Sequence, residues 1–268
     1  MNYRHGYHAG NFADVVKHLA LVAVIEHLAR KDAAFVVIDS HAGRGRYALS
    51  STEALKTGEA RTGIARIRPL GGPALLERYL RLVEREGQGA YPGSPLIAAR
   101  MLRPQDRLVA VEKEPLEALA LKKLLRPFAN ARAEQGDGYA RIKALLPPKE
   151  RRGLILMDPP FEAPDEFESL GRAIRSALGR FATGTYLIWY PVKSEGPVAA
   201  FEGEALLEAK KALKLETAIG ARGGKLDRAA FLIINPPFGF AAGMDEVLGV
   251  VAPAIAARCR LVPLKGGA

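Results

Sequence analysis

The sequence predicts an α/β fold in which a seven-stranded, mostly parallel sheet is covered by helices on both faces. Three observations carry this reading. Short apolar runs alternate with stretches of helical periodicity along most of the chain. Several runs, such as GLILM at 153–157 and FLII at 231–234, are apolar at every position, as expected of strands buried on both sides. Glycine or proline turns stand directly after several of these runs, at 43–45, 138 and 159–160.

In chain order, Asn11 or Asp14 caps a first helix that runs to about residue 30. Strands follow at 33–39, 107–112, 131–135, 153–158, 185–190, 213–219 and 230–235. Helices are placed at 114–126, 139–146, 165–181, 198–212 and 245–257. The 165–181 helix opens after Pro164 and carries Phe167, Leu170, Ile174 and Leu178 at helical spacing. Only a short connection joins the last two strands, so they should pair as an antiparallel hairpin.

The alternation stops between about residues 49 and 104. A structureless loop of that length would be out of place in a compact domain. The segment contains Gly71-Gly72-Pro73, a helical stretch over 74–86 and Tyr91-Pro92-Gly93-Ser94-Pro95. It is read as a small helical subdomain, 49–104, inserted into a main domain formed by 1–48 and 105–268. Arg61, Arg66, Arg68, Arg78, Arg81, Arg85, Arg100 and Arg103 make it a candidate RNA-facing surface, with a plainly solvated helical face as the other reading.

Composition narrows the class. Lys and Arg outnumber Asp and Glu by 39 to 29, and the resulting +10 favours a polyanionic partner. A single cysteine, Cys259, rules out an intrachain disulfide and a cysteine-rich metal cluster. The polar, histidine-bearing N-terminus is no signal peptide, and Glu26 and His27 interrupt the most apolar early stretch. A cytoplasmic enzyme without membrane attachment is expected. His5-x-x-His8 has ligand-like spacing, but no second ligand cluster accompanies it, so no metal is expected.

Four motifs sit at strand ends, where open α/β sheets bind ligands. The first is Asp39-Ser40-His41-Ala42-Gly43-Arg44-Gly45-Arg46-Tyr47, in which Gly43 and Gly45 permit a tight turn and close backbone approach. Gly43-x-Gly45-x-x-Ala48 also fits the dinucleotide pattern, which keeps an NAD(P)-dependent oxidoreductase open. Glu112, ending the second strand, suits the ribose hydroxyls of either NAD or S-adenosylmethionine. Asp137-Gly138 could bond the amino group of an adenine and admit its ring near the backbone.

The fourth motif is Asp158-Pro159-Pro160-Phe161. The lone pair of adenine N6 is delocalised into the ring, so a methyl acceptor there must be helped to become tetrahedral. A carboxylate and a backbone carbonyl, each accepting one N6–H bond, do this, and the carboxylate can take the released proton. The prolines fix φ and remove competing N–H donors, while the Phe161 ring can stack on the base. Asn235-Pro236-Pro237-Phe238 has similar letters. Position favours Asp158, which follows the Glu112 and Asp137 units, whereas the hairpin would put Asn235 at the sheet edge away from them.

The series Tyr3-Arg4-His5, His8-Ala9-Gly10-Asn11, Lys17-His18, the Asp39–Tyr47 turn, the PGSP loop, Asp158-Pro159-Pro160 and Trp189-Tyr190-Pro191 resembles the RlmJ family of 23S ribosomal RNA adenine-N6 methyltransferases, over essentially the whole chain. The resemblance implies a class I S-adenosylmethionine-dependent methyltransferase domain, Rossmann-like, with a helical insertion. It implies methylation of N6 of a specific adenine in 23S rRNA, with S-adenosylhomocysteine as by-product. His18, His41, Ser94, Glu112, Asp137 and Gly138 match cofactor contacts, Asp158 the proton acceptor and Tyr3 a substrate RNA contact. Tyr3, Arg4 and His5 are expected beside the RNA. Phe161 stands where the family motif usually has tyrosine, and Arg44 where a small residue is common. A DNA adenine-N6 methyltransferase is the alternative on the same chemistry, disfavoured because no separate target-recognition domain is evident. No obligatory protein partner is apparent, and a monomer is expected.

Overall fold

The computed structural model describes residues 5–220 and 226–266. A short 3₁₀ turn (His5–Tyr7) leads into helix α1 (Phe12–Ala29), whose N-cap is Asn11; its side chain accepts the Asp14 N–H at 2.9 Å. Apolar residues occupy nearly the whole circumference of α1, and the helix is buried almost throughout. Asp14, Lys17 and His18 are buried with it, and buried charges of this kind require partners.

Strand β1 (Val36–Asp39) follows, then a two-stranded antiparallel ribbon of β2 (Arg46–Ala48) and, much later, β3 (Ala90–Pro92). Between its strands lie α2 (Thr52–Thr57), α3 (Glu59–Thr62), α4 (Ile64–Ile67) and α5 (Ala74–Glu84). Helix α6 (Ser94–Met101) comes next and packs on α1, β1 and β4 (Arg107–Glu112). The ribbon returns the chain to where it left, and the Gly93 N–H bonds the Gly45 carbonyl at 2.8 Å. The arginines of 49–104 are largely committed to protein. Arg78 pairs with Glu26, Arg81 with Glu77, Arg100 with Glu86 and Arg103 with Asp106, and Arg68 bonds the carbonyls of Gly87 and Ala90.

The remaining units are α7 (Pro115–Leu125), β5 (Ala131–Gln135), α8 (Gly138–Leu145), β6 (Gly153–Met157), α9 (Glu166–Arg180) and β7 (Thr185–Pro191). They are followed by α10 (Glu195–Ala205), β8 (Ala212–Ile219), β9 (Arg228–Ile234), α11 (Phe240–Ala254) and β10 (Ala257–Lys265). The main sheet runs β10-β8-β9-β7-β6-β1-β4-β5, parallel from β7 to β5. One face packs under α1, α6, α7 and α11, the other under α8, α9 and α10, which explains the uninterrupted apolar runs.

Two expectations are corrected. The main sheet has eight strands, because β10 adds antiparallel to β8, with Arg258 opposite Ala218. Helix α11 therefore ends at Ala254, where 245–257 was expected, and Ala256 at φ 53° breaks it. Pro263 and the alternating polar residues of β10 are signs of an edge strand. The second correction concerns β9, which lies inside the sheet between β7 and β8 rather than at its edge. Asn235 is still remote from Asp158, but because β9 runs antiparallel to β7, so its carboxyl end faces the opposite end of the sheet.

Asn235 is a structural clamp. Its Nδ2 donates to the carbonyls of Ala182 (2.8 Å) and Gly184 (2.7 Å), and it adopts φ 52°. Asn235→Ala is predicted to lower unfolding free energy by about 1–3 kcal/mol in denaturant titration, while ligand binding at the opposite end is unchanged. Unaltered stability would contradict the clamp.

Candidate active site

After β1 the chain builds β4 and β5 on one side and then crosses to build β6 on the other. This reversal opens a crevice at the carboxyl ends of the strands, the general ligand position in such sheets. A cleft of about 310 Å³ lies there, lined by His5, His18, His41, Gly43, Ser94, Glu112, Asp137, Gly138, Asp158 and Pro160. Of the other residues singled out in the sequence, Gly45, Pro159 and Phe161 are not in the lining. Tyr3 and Arg4 lie outside the described residues.

The glycine turn is shaped by what surrounds it. At Gly43 (φ 61°) a Cβ would collide with the Tyr47 hydroxyl, and at Gly45 (φ 78°) it would come within 2.6 Å of Leu124. Gly45 thus fits the turn against α7 and the PGSP loop, leaving Gly43 to face the cleft. Glu112 ties this turn to the end of β4: its Oε2 accepts the Gly43 N–H (2.8 Å) and its Oε1 the Glu114 N–H (2.7 Å). Burial pushes the Glu112 carboxyl above its ordinary range.

Asp137 is the N-cap of α8, with Oδ1 accepting the Ala140 N–H at 3.0 Å and Oδ2 3.6 Å from the exposed Lys113 ammonium. Gly138 brings backbone against backbone, since a Cβ would overlap the Ser40 carbonyl and press on the His41 ring. His41 Nδ1 lies 2.7 Å from Ser40 Oγ, and its ring meets Tyr139 edge-on. Burial lowers the His41 pKa to about 4, so the ring is neutral near pH 7. Phe161, at φ 51°, sets its ring edge-on to Phe167 (4.8 Å) and Trp189 (5.8 Å).

Lys17, which stands in none of the four strand-end motifs, organises the acidic end of the cleft. Lys17 Nζ lies 2.6 Å from Asp158 Oδ2 and 2.7 Å from Asp14 Oδ1, with its side chain only 5% exposed. Burial alone would lower the Lys17 pKa, but the charges of Asp14 and Asp158 hold it well above the ordinary lysine value. Asp14 also accepts the Gly10 N–H and faces His5 Nε2, each at 2.9 Å. Burial opposes its ionisation, yet the charges of His5 and Lys17 hold its carboxyl well below the usual range. Charged Asp14 and Lys17 within an otherwise apolar helical run were the available signal, because such charges must find partners.

Asp39 opens the first motif without a role of its own there, although it ends β1 as Glu112 ends β4. Its Oδ2 accepts the Ser94 hydroxyl at 2.7 Å, and among the described residues its buried Oδ1 has no partner. His18 Nε2 is likewise buried and without a partner among those residues. Orphaned polar atoms beside glycine walls fit a ligand that carries both charged groups and hydroxyls. Among the described residues no group of His, Cys, Asp and Glu is arranged to hold a metal, and no helix is long and apolar enough to cross a membrane.

Burial pushes the Asp39 carboxyl up to about 7. The unfolded chain ionises it near the ordinary carboxylate value, so the folded state binds more protons between those two pKa values and loses stability as pH rises towards 7. Asp39→Asn keeps the acceptor for Ser94 and removes that ionisation. Its Tm advantage over wild type is predicted to grow by at least about 3 °C between pH 5 and pH 8; a pH-independent difference would contradict the assignment.

The family model described as "Ribosomal RNA large subunit methyltransferase D, RlmJ" matches residues 32–261. Ribosomal RNA large subunit methyltransferase J of Escherichia coli is 42% identical over 259 residues, covering 92% of this chain and 91% of the relative. The Haemophilus influenzae protein of the same name is 39% identical over 257 residues, covering 92% of each. The crystal structure of LPL1258 from Legionella pneumophila superposes with a TM-score of 0.88 at 31% identity, over 96% of this chain and 98% of that one. With the strand-end cleft described above in place, these matches show that the chain belongs to the RlmJ family of ribosomal RNA large subunit methyltransferases.

Proposed function

We propose that the protein transfers a methyl group from S-adenosylmethionine to N6 of one adenine in 23S ribosomal RNA, with Asp158 holding the amino group. The observation that carries this reading is the division of labour on the Asp158 carboxylate. Oδ2 is taken by the Lys17 ammonium, while Oδ1 accepts no hydrogen bond among the described residues and the side chain opens onto the cleft. The Pro159 carbonyl is also without a donor among those residues.

Bound S-adenosylmethionine would supply an electrophilic methyl group. His18, His41, Ser94, Gly43, Glu112, Asp137 and Gly138 are the residues proposed to hold it, since they wall the cleft on the β1, β4 and β5 side. Asp158 Oδ1 and the Pro159 carbonyl would then accept the two N6–H bonds. This draws the nitrogen lone pair out of ring conjugation and points it at the methyl carbon. Methyl transfer to N6 would return the C–S electrons to sulfur and leave N6 cationic. Such a nitrogen is strongly acidic, so a weak base suffices, and Asp158 Oδ1 takes the proton and passes it to solvent.

Lys17 fixes the carboxylate geometry through this sequence, itself anchored by Asp14. Phe161 is proposed to offer a ring face to the target base; its positive φ and its contacts with Phe167 and Trp189 set the ring's direction. His5, held by Asp14 and lining the cleft, is proposed to meet the RNA.

Incubation of the purified protein with S-adenosylmethionine and unmodified 23S rRNA, followed by nuclease digestion, is predicted to release N6-methyladenosine. Ribose-methylated or C-methylated nucleosides alone would overturn the reading, and equal methylation of a matched DNA strand would overturn its RNA specificity. Asp158→Asn is predicted to reduce kcat by about 10²–10⁴-fold and to change S-adenosylhomocysteine affinity by less than about 3-fold. A comparable loss of affinity would remove Asp158 from the transfer step.

A further inference from the structure

Among the described residues, His18 presents one ring nitrogen to protein and leaves the other unpaired. Its Nδ1 lies 2.7 Å from the Tyr91 hydroxyl, and that hydroxyl lies 2.7 Å from the hydroxyl of Tyr79. All three side chains are buried: His18 on α1, Tyr91 on β3 and Tyr79 on α5. Tyr79 makes no other side-chain hydrogen bond among the described residues. Nε2 of His18 is buried without a partner among the described residues, and the residue lines the cleft.

The proton count along this chain has two solutions. Burial and the adjacent Lys17 charge hold His18 well below its ordinary pKa, so its ring is neutral and carries one N–H. Burial holds both phenols well above their ordinary values, so each keeps its proton. If Nδ1–H donated to Tyr91, Tyr91 would donate to Tyr79, and the Tyr79 proton would be buried with no acceptor. In the opposite direction Tyr79 donates to Tyr91 and Tyr91 donates to Nδ1. Both phenolic protons are then used, and the one donor still without an acceptor is His18 Nε2–H, on a residue that lines the cleft where a ligand can supply one, whereas Tyr79 does not line it.

We propose that Tyr79 and Tyr91 are positioning residues that fix His18 as its Nε2–H tautomer, making it a neutral donor for the carboxylate of the cofactor's amino-acid moiety. The proposal rests on the reading of the cleft as an S-adenosylmethionine site. A carboxylate is the matching acceptor: it has no proton of its own to clash with Nε2–H, and a bond to an ionised acceptor is stronger than a neutral one. An Nδ1–H tautomer would instead turn a lone pair towards the same anion. Both tyrosines belong to the 49–104 segment, so that segment would set the donor direction of a residue on α1.

The test uses the full-length protein labelled with ¹⁵N at histidine. Long-range ¹H–¹⁵N spectra of the ligand-free protein, with His18 assigned by its loss in His18→Gln, are expected to show a protonated Nε2 and a bare Nδ1. Tyr91→Phe keeps the ring and removes the hydroxyl; it is expected to shift His18 towards the Nδ1–H form and to weaken S-adenosylhomocysteine binding about 10-fold by calorimetry. Tyr79→Phe should act in the same direction more weakly. Binding of 5′-methylthioadenosine, which lacks the carboxylate, should be unchanged in both variants.

An Nδ1–H tautomer in the wild-type protein would overturn the proposal. So would a Tyr91→Phe protein that loses affinity for both ligands equally, because that marks a packing role. If the wild-type tautomer is as expected but S-adenosylhomocysteine does not bind, the cofactor reading and the carboxylate role fall together, while the tyrosine-set tautomer stands.

Discussion

The ammonium of Lys17, shared between Asp14 and Asp158, is the interaction on which the site depends. It lies in a helix buried nearly all round, where an unpaired charge would be strongly destabilising. Asp158 stands across the cleft at the end of β6, so this ion pair joins the helical layer to the sheet at the point of proposed chemistry. It also engages one carboxylate oxygen and leaves the other available. Asp14 completes the arrangement by holding His5 at the mouth and capping the Gly10 N–H.

Much of this frame was legible before any coordinates. All seven strands read from the sequence are present; the continuously apolar runs of β1, β6, β7 and β9 were the plainest, because residues buried on both faces leave no alternation to misread, whereas β5 (ARAEQ) and β8 (ALKLETAI) carry polar residues. Strand β10 escaped, since ARCRLVPLK buries only one face and includes a proline. The position of β9 escaped for another reason: a short connection implies antiparallel pairing with β8 but does not exclude a further partner, and β7 is that partner.

At the cleft, glycines and acidic strand ends were readable because each follows a recognisable strand. Lys17 was not singled out, because its partner Asp158 is 141 positions away and the pairing exists only when α1 docks on the sheet. Asp39 was hidden by its glycine-rich neighbours, although its location is equivalent to that of Glu112. The roles first given to Gly45 and Phe161 also change in emphasis. Gly45 packs against α7 and the 93–95 loop, and the Phe161 ring is held by other aromatics outside the cleft lining. The arginine-rich segment 49–104 offers less free charge than its composition suggests, but it contributes buried tyrosines against His18.

The most direct test of the account is a crystal structure with S-adenosylhomocysteine and an RNA oligonucleotide containing the target adenine. The account predicts N6 within hydrogen-bond distance of both Asp158 Oδ1 and the Pro159 carbonyl, facing sulfur, with Lys17 still on Oδ2. An adenine seated in the cleft with N6 turned away from Asp158, or Lys17 swung off the carboxylate to another group, would contradict it.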